Sequence, residues 1–256
     1  MSKSNHIAVL TVPSPHSWIV INALVEKFGP VHVLAEERQA RWALIRNRIK
    51  RQGLLTVCGQ IGFVVLQKFM EPRQRRRIET IIREMALDPE PNPSCMIHQI
   101  GSVNAMACRA ALAMVRPDVV LVIGTRMIGR ETLAAIKVPV INSHAGWNPQ
   151  YRGQAGGYWA LASGDPDHAG VTVHLVDAGV DTGDILYQER FAATADDSFP
   201  TYFYIQAGIA RHLAVRAVGD ALEGRLKPGK SKAPSRQYYH PTLWGYLWTA
   251  LRRGVW

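Results

Sequence analysis

The run Val119-Val120-Leu121-Val122-Ile123-Gly124 limits the fold more than any other stretch of the chain. It has no polar interruption and lies between Pro117-Asp118 and a glycine. A strand of this kind is apolar on both faces, as in parallel sheets covered by helices on each side. The opening of the chain has the same character. A strand over His6–Thr11 precedes a proline-containing loop from Val12 to Pro15, and Trp18 to Phe28 has helical spacing. Ser14 and Ser17 are the two candidates for its N-cap. Gly29-Pro30 ends the helix, and Val31–Ala35 is a second strand. This β-α-β opening predicts a parallel sheet with a right-handed crossover. The expected class is α/β, a parallel-rich twisted sheet flanked by helices. The first turn lacks GxGxxG, so no dinucleotide fingerprint is read there.

Residues 37–87 read as a helical insertion punctuated by Gly53, Gly59 and Gly62. Pro89, Pro91 and Pro93 form a loop before a short strand at Met96–Gln99. Asn104–Val115 reads as a helix with an apolar stripe, Glu131–Ile136 as a short helix, and Pro139–Asn142 as a strand. Val171–Val176 and Ile185–Phe191 are further strands, and 199–223 is a long helix. The remainder reads as loop and small appendage. The domain organisation expected is therefore 1–195 as the main unit and 196–256 as a C-terminal helix and tail.

Composition narrows the function classes. Three cysteines, Cys58, Cys95 and Cys108, without CxxC or Cys/His spacing argue against a disulfide framework and against a zinc site; no metal is expected. The polar start MSKSNHIAVL lacks a signal-peptide pattern, and a cytoplasmic location is the expectation. No apolar stretch reads as reaching the roughly 18 residues that span a bilayer. The net charge is +10, concentrated in Arg38–Arg51 and in Arg73, Arg75, Arg76 and Arg77. Solvated helix faces, a phosphate-bearing substrate and an anionic membrane surface all fit such charge.

The chemistry is carried by Ile141–Leu186. Asn142 and His144 are two apart at a strand end, so an amide and an imidazole point to one side at the place where open α/β sheets bind ligands. A glycine-rich run follows, and Asp181 sits in a second loop, Asp177-Ala178-Gly179-Val180-Asp181-Thr182-Gly183-Asp184. His174 alternates within a strand and reads as core-adjacent or surface. The ordered set N-x-H, YRG, GVTVH and D-x-G-x-DTGDIL resembles the folate-dependent formyltransferases, over Val119–Phe191 closely and over the opening β-α-β more loosely. That resemblance implies a Rossmann-like formyltransferase fold, N10-formyltetrahydrofolate as co-substrate, and Asn142, His144 and Asp181 as the catalytic trio. Asn142 and a charged His144 would donate to a developing oxyanion, and a carboxylate beside His144 favours its charged form. Asp181 would also accept the proton of the attacking amine. The pterin would lie against Gly124, Thr125, Arg126, Met127 and Ile128 and against Val176, Asp177 and Val180. Trp147, Tyr151, Arg152 and Tyr158 are expected to bind the acceptor.

The wording around His144, HAGWNPQYRGQAGGYWAL, looks most like bacterial nucleotide-sugar N-formyltransferases. It implies a nucleotide-linked 4-amino-4,6-dideoxysugar as acceptor, with GDP-perosamine for lipopolysaccharide O-antigen as the leading candidate. A methionyl-tRNA acceptor implies a long C-terminal β-barrel, and 65 residues follow Phe191 here, which disfavours nucleic acid. Hydrolysis of formyltetrahydrofolate and a non-catalytic binding role are the remaining alternatives; the lack of an N-terminal regulatory domain counts against the first and the intact trio against the second. A homodimer is expected from the family. The aromatic tail, with Tyr238, Tyr239, Trp244, Tyr246, Trp248 and Trp256, fits an interface, a wrap on its own core, or peripheral membrane association.

Overall fold

A computed structural model of the chain describes residues 6–256. Its main sheet is built from β1 (Ile7–Thr11), β2 (His32–Glu36), β3 (Met96–Ile100), β4 (Val119–Ile123), β5 (Val140–His144), β7 (Gly170–Leu175) and β8 (Ile185–Arg190). The order across the sheet is β3-β2-β1-β4-β5-β7-β8. The first five strands in that order are parallel, and β7 and β8 run antiparallel to their neighbours. β1 is buried along its whole length and β4 over Val119–Val122, as their unbroken apolar runs require.

One face of the sheet is covered by α1 (Pro15–Phe28) and α7 (Phe199–Leu222), the other by α4 (Met106–Val115) and α5 (Arg130–Ala135). α1 starts where the sequence places its cap. Ser14 Oγ accepts from Ser17 N at 3.2 Å and Ser17 Oγ accepts from Ser14 N at 2.9 Å, a reciprocal capping box. α7 carries Ala207, Ala210, Ala214 and Ala217 at helical spacing, all buried, and this narrow row lets it lie close to α1 and the sheet. The segment beyond residue 195 therefore shares the main core, and a boundary there cuts through packed residues.

The insertion is α2 (Arg41–Gln52) and α3 (Leu54–Glu84), joined at Gly53. Its helical reading is borne out, but Gly59 and Gly62 do not break it. They lie inside α3 where the chain's last helix, α8 (Leu243–Arg253), crosses it. A Cβ on Gly59 would sit 2.7 Å from Thr242 Cβ and inside the Trp244 ring, so glycine is what permits the close crossing. Two expectations need correction here. The tail is not all loop: it returns as β9 (Gln237–Tyr238), paired with β6 (Arg152–Gly153), and as α8. α3 is also long and apolar enough, by length and composition, to cross a membrane. The glycines and glutamines among its apolar residues hide that run from an inspection for uninterrupted apolar sequence.

α3 is held by its inner face. Phe63 is buried against Phe199 and Tyr246, with ring centroids 4.8 and 5.0 Å away, and Arg77 Nε donates to buried Asp197 Oδ1 at 2.8 Å. Phe63→Ala should cost about 3–5 kcal/mol, because the Phe199–Tyr246 pocket belongs to two other helices and cannot collapse fully. Urea unfolding would show this as a lower midpoint; a change under about 1 kcal/mol would mean that α3 is not docked as described.

Candidate active site

β5 delivers Asn142 and His144 to one side, as the two-residue repeat of a strand demands. In the antiparallel pairing with β7, Asn142 stands opposite His174 and His144 opposite Thr172. His174 thus enters the site across the ladder. The loop after β7 turns back at Asp181, whose φ of +51° is left-handed, a conformation that Asp tolerates better than most residues. This turn aims the carboxylate into the cluster. Asp181 Oδ1 accepts from Asn142 Nδ2 at 3.1 Å and Oδ2 from Gly153 N at 3.0 Å. Oδ2 lies 3.6 Å from His144 Nδ1, and Oδ1 lies 3.5 Å from His174 Nε2.

His144 is buried and each ring nitrogen faces an acceptor: Asp181 from Nδ1, and the Tyr151 carbonyl at 3.3 Å from Nε2. Two acceptors suit a ring with two N–H donors. Gly146 makes this seat available, since a Cβ there would stand 2.5 Å from His144 Nε2. His174 Nδ1 lies 2.7 Å from the Leu175 carbonyl, which places a hydrogen on Nδ1. Its Nε2 faces both Asn142 Nδ2, 3.0 Å away, and Asp181 Oδ1. The Asn142 amide is thus held by Asp181 beside His174, and an incoming oxyanion must draw a hydrogen of that amide towards itself.

Burial works to raise the Asp181 carboxyl, but the charge of His144, the nearby His174 and the Gly153 N–H outweigh it. They hold Asp181 well below the usual carboxylate range. It is an anion at any pH at which the protein would work.

The cluster forms part of the wall of a cleft of about 670 Å³ at the carboxyl ends of β1, β4 and β5. The expected cofactor residues all line it: Gly124, Thr125, Arg126, Met127 and Ile128 after β4, and Val176, Asp177 and Val180 after β7. Two of their side chains are already committed. Arg126 pairs with buried Glu36, whose Oε2 also accepts from Arg126 N, and Asp177 accepts from Thr182 Oγ1 and Gly179 N. What faces the cleft is main chain set among Met127, Ile128, Val176 and Val180, a lining suited to a flat heteroaromatic ring.

The four expected acceptor residues are not brought to the cleft as side chains. Tyr158 is buried in an aromatic cluster with Phe199 and Tyr246. Trp147 packs on the same cluster, with the Arg190 guanidinium 5.4 Å from its ring centroid. Tyr151 is buried, with its hydroxyl on Asp165 at 2.9 Å, and serves the site through its carbonyl. Arg152 bonds Ser235 Oγ and the Val180 carbonyl, so it braces the Asp181 loop. The shared reason is that this glycine-rich segment folds into a layer beneath the cleft, and its aromatic rings fill that layer.

The cleft is also lined by residues that no motif announces. His16 at the start of α1 and His240 beyond β9 line it, together with Phe203 and Gln206 from α7. Among the described residues His16 Nε2 and His240 Nδ1 are buried without a hydrogen-bond partner. Burial pushes both histidines down to about 4, so both are neutral near pH 7. Residue type gave no signal for either, and the place of His240 depends on the tail returning beside β6. His174 had a usable signal, its position in an alternating run on the main-sheet strand that follows that of Asn142.

Residues 3–203 match the family described as Formyl transferase. The chain is similar to the methionyl-tRNA formyltransferase of Acidovorax ebreus, 33% identical over 54% of this chain and 42% of that protein. It spans less than half the length of the curated relatives that it matches. Among solved structures, a likely sugar N-formyltransferase from Mycobacterium tuberculosis shares the fold at a TM-score of 0.58 and 17% identity, over 97% of this chain and 87% of that one. An N-formyltransferase from Helicobacter canadensis, crystallised with folinic acid and dTDP-3-aminofucose, shares it at 0.57 and 14%, over 91% and 70%.

The Asp181 anion has a consequence for acid stability. An unfolded Asp titrates near about 3.9 and the folded one lower, so the difference stabilises the fold above about pH 4 and is lost as the pH falls through the folded value. Urea midpoints taken from about pH 5 to about pH 3 should fall more steeply in the wild type than in Asp181→Asn. Parallel slopes would show that Asp181 is not the anion described.

Proposed function

The chain belongs to the formyl transferase family, and on that premise we propose that it transfers a formyl group from N10-formyltetrahydrofolate to the amine of a nucleotide-linked 4-amino-4,6-dideoxysugar in the cytoplasm. GDP-perosamine, destined for lipopolysaccharide O-antigen, is the acceptor we place first. The observation that carries the reading is the Asp181 cluster itself, an anion that fixes an amide and two imidazoles in the wall of the cleft.

The folate supplies a formyl carbon bonded to N10. In the exchange the amine nitrogen bonds to that carbon, the carbon–N10 bond breaks, the amine loses a proton and N10 gains one. The chain's own residues meet those needs. His144 and Asn142 can each turn an N–H from a present contact towards the formyl oxygen; donors of this kind are each worth about 10²–10³ in rate. Asp181 keeps His144 oriented and takes up the amine's proton, directly or through water. The main chain at 124–128 and 176–180 seats the pterin, and His16 and His240 offer unpaired neutral nitrogens to a polar acceptor.

A cleft of about 670 Å³ is of small-molecule size, which favours a nucleotide sugar over a macromolecular acceptor. The sugar-modifying enzymes with the same fold support that choice, and the dTDP-3-aminofucose of the Helicobacter protein is a nucleotide-linked amino sugar, with its amine at C3 where the acceptor proposed has it at C4. The methionyl-tRNA reading rests on the curated relatives at about one-third identity.

A transfer assay with N10-formyltetrahydrofolate, a panel of GDP-, UDP- and dTDP-linked amino sugars and methionyl-tRNA separates the two readings, with the gain of one formyl group read by mass spectrometry. One amino sugar should be formylated, and His144→Asn and Asp181→Asn should each lower kcat by at least about 10² with the fold intact. Transfer to methionyl-tRNA alone would replace the sugar reading. Near-wild-type turnover in either variant would remove that residue from the mechanism.

A further inference from the structure

The charge of this chain is not spread over its surface. Residues 38–70 hold seven basic side chains and no acidic one, and residues 224–256 hold another seven and no acidic one. These two stretches together exceed the whole net charge of +10. The fold brings the end of the second stretch to the first, because α8, with Arg252 and Arg253, crosses α3 at Gly59 and Gly62 and α2 packs on α3.

The same surface is apolar where it need not be. α8 buries Tyr246 and Ala250, yet it also carries Trp244, Leu247, Trp248 and Leu251 at i, i+3, i+4 and i+7 on its outward side, all exposed. α3 repeats the pattern: Val57 and Phe63 face in, while Leu54, Ile61, Val65 and Phe69 face out. Trp244 lies against Gly59 and joins the two stripes. Exposure reaches 82% at Trp42 of α2, 80% at Phe69 and 79% at Leu251. Scattered apolar residues are ordinary on a surface; two aligned stripes set with arginines are not.

We infer that the face formed by α2, α3 and α8 docks on an anionic lipid bilayer, lying in the headgroup interface. Tryptophan, phenylalanine and leucine on one side of a helix and Lys/Arg around them is the pattern of interfacial helices. The charge decides against a second copy as occupant, since α2 holds five basic side chains and α8 two, with no acidic one in either, and two such faces would set these like charges against each other. It also needs a negative partner, which the cytoplasmic lipid surface supplies. The face lies on the bilayer and does not cross it, because spanning would pull Phe63 from Phe199 and Tyr246 and Arg77 from Asp197. α8 begins three residues beyond His240 of the cleft wall, so docking would hold the cleft close to the membrane. This inference does not depend on which amine is formylated.

Co-sedimentation of the full chain with vesicles tests it. With phosphatidylcholine containing about one third phosphatidylglycerol the chain should pellet, and with phosphatidylcholine alone it should stay largely in solution; salt should weaken the binding. The triple variant Trp42→Ser, Phe69→Ser, Leu251→Ser changes solvent-exposed side chains, so its Tm should match the wild type while its partition falls at least about tenfold. Arg46→Glu and Arg51→Glu should each lower partition by about fivefold or more. The inference is overturned if the wild type ignores anionic vesicles, or if the triple variant binds them equally. It is overturned too if the face proves to bind tRNA in preference to lipid, or if the chain sediments at twice its mass and the triple variant at once.

Discussion

A carboxylate buried among strand ends must be satisfied from several directions at once, and Asp181 is the point where the segments of this protein meet for that reason. Asn142 comes from β5, His174 from β7, and the Gly153 N–H from the short β6. The left-handed turn at Asp181 is tolerable because those contacts over-determine it. Arg152 completes the arrangement by reaching from β6 to the Val180 carbonyl, so the loop bearing the anion and the strand donating to it are tied together. β6 is in turn held by β9. The C-terminal segment, which carries no catalytic group, is thus a structural condition of the site.

Much of this was legible in the amino-acid sequence, for local reasons. Unbroken apolar runs gave β1 and β4, the two-residue repeat placed Asn142 and His144 on one side, and Ser14 marked the start of α1. The loops after β4 and β7 line the cleft as the family resemblance implied. What failed to show depends on contacts far apart in sequence. Aromatic residues near His144 read as pocket walls, yet Trp147 and Tyr158 fill a layer made with α7 and α8, whose position no local pattern gives. The return of residues 237–240 beside β6 is a long-range pairing of the same kind. Gly59 and Gly62 read as punctuation because a glycine that admits a crossing helix cannot be told from one that ends a helix without knowing its neighbour.

The molecule divides its labour between two surfaces that share the tail. The sheet and its loops create a small cleft with one strongly anionic side chain. The insertion and α8 create a broad cationic and apolar face beside it. Residues 237–240 belong to the first and run directly into the second. Truncation or repacking of the tail would therefore disturb both surfaces, through lost pairing with β6 in one case and lost packing on Gly59 in the other.

On the proposed function, the cleft beside Asp181 receives a reduced folate between the loops after β4 and β7. Amide hydrogen exchange of the full chain, with and without 5-formyltetrahydrofolate as a non-transferring ligand, tests this. Exchange should slow at residues 124–128 and 176–181, with α2 unaffected. Unchanged exchange in both loops at saturating ligand, or protection confined to another part of the molecule, would contradict it.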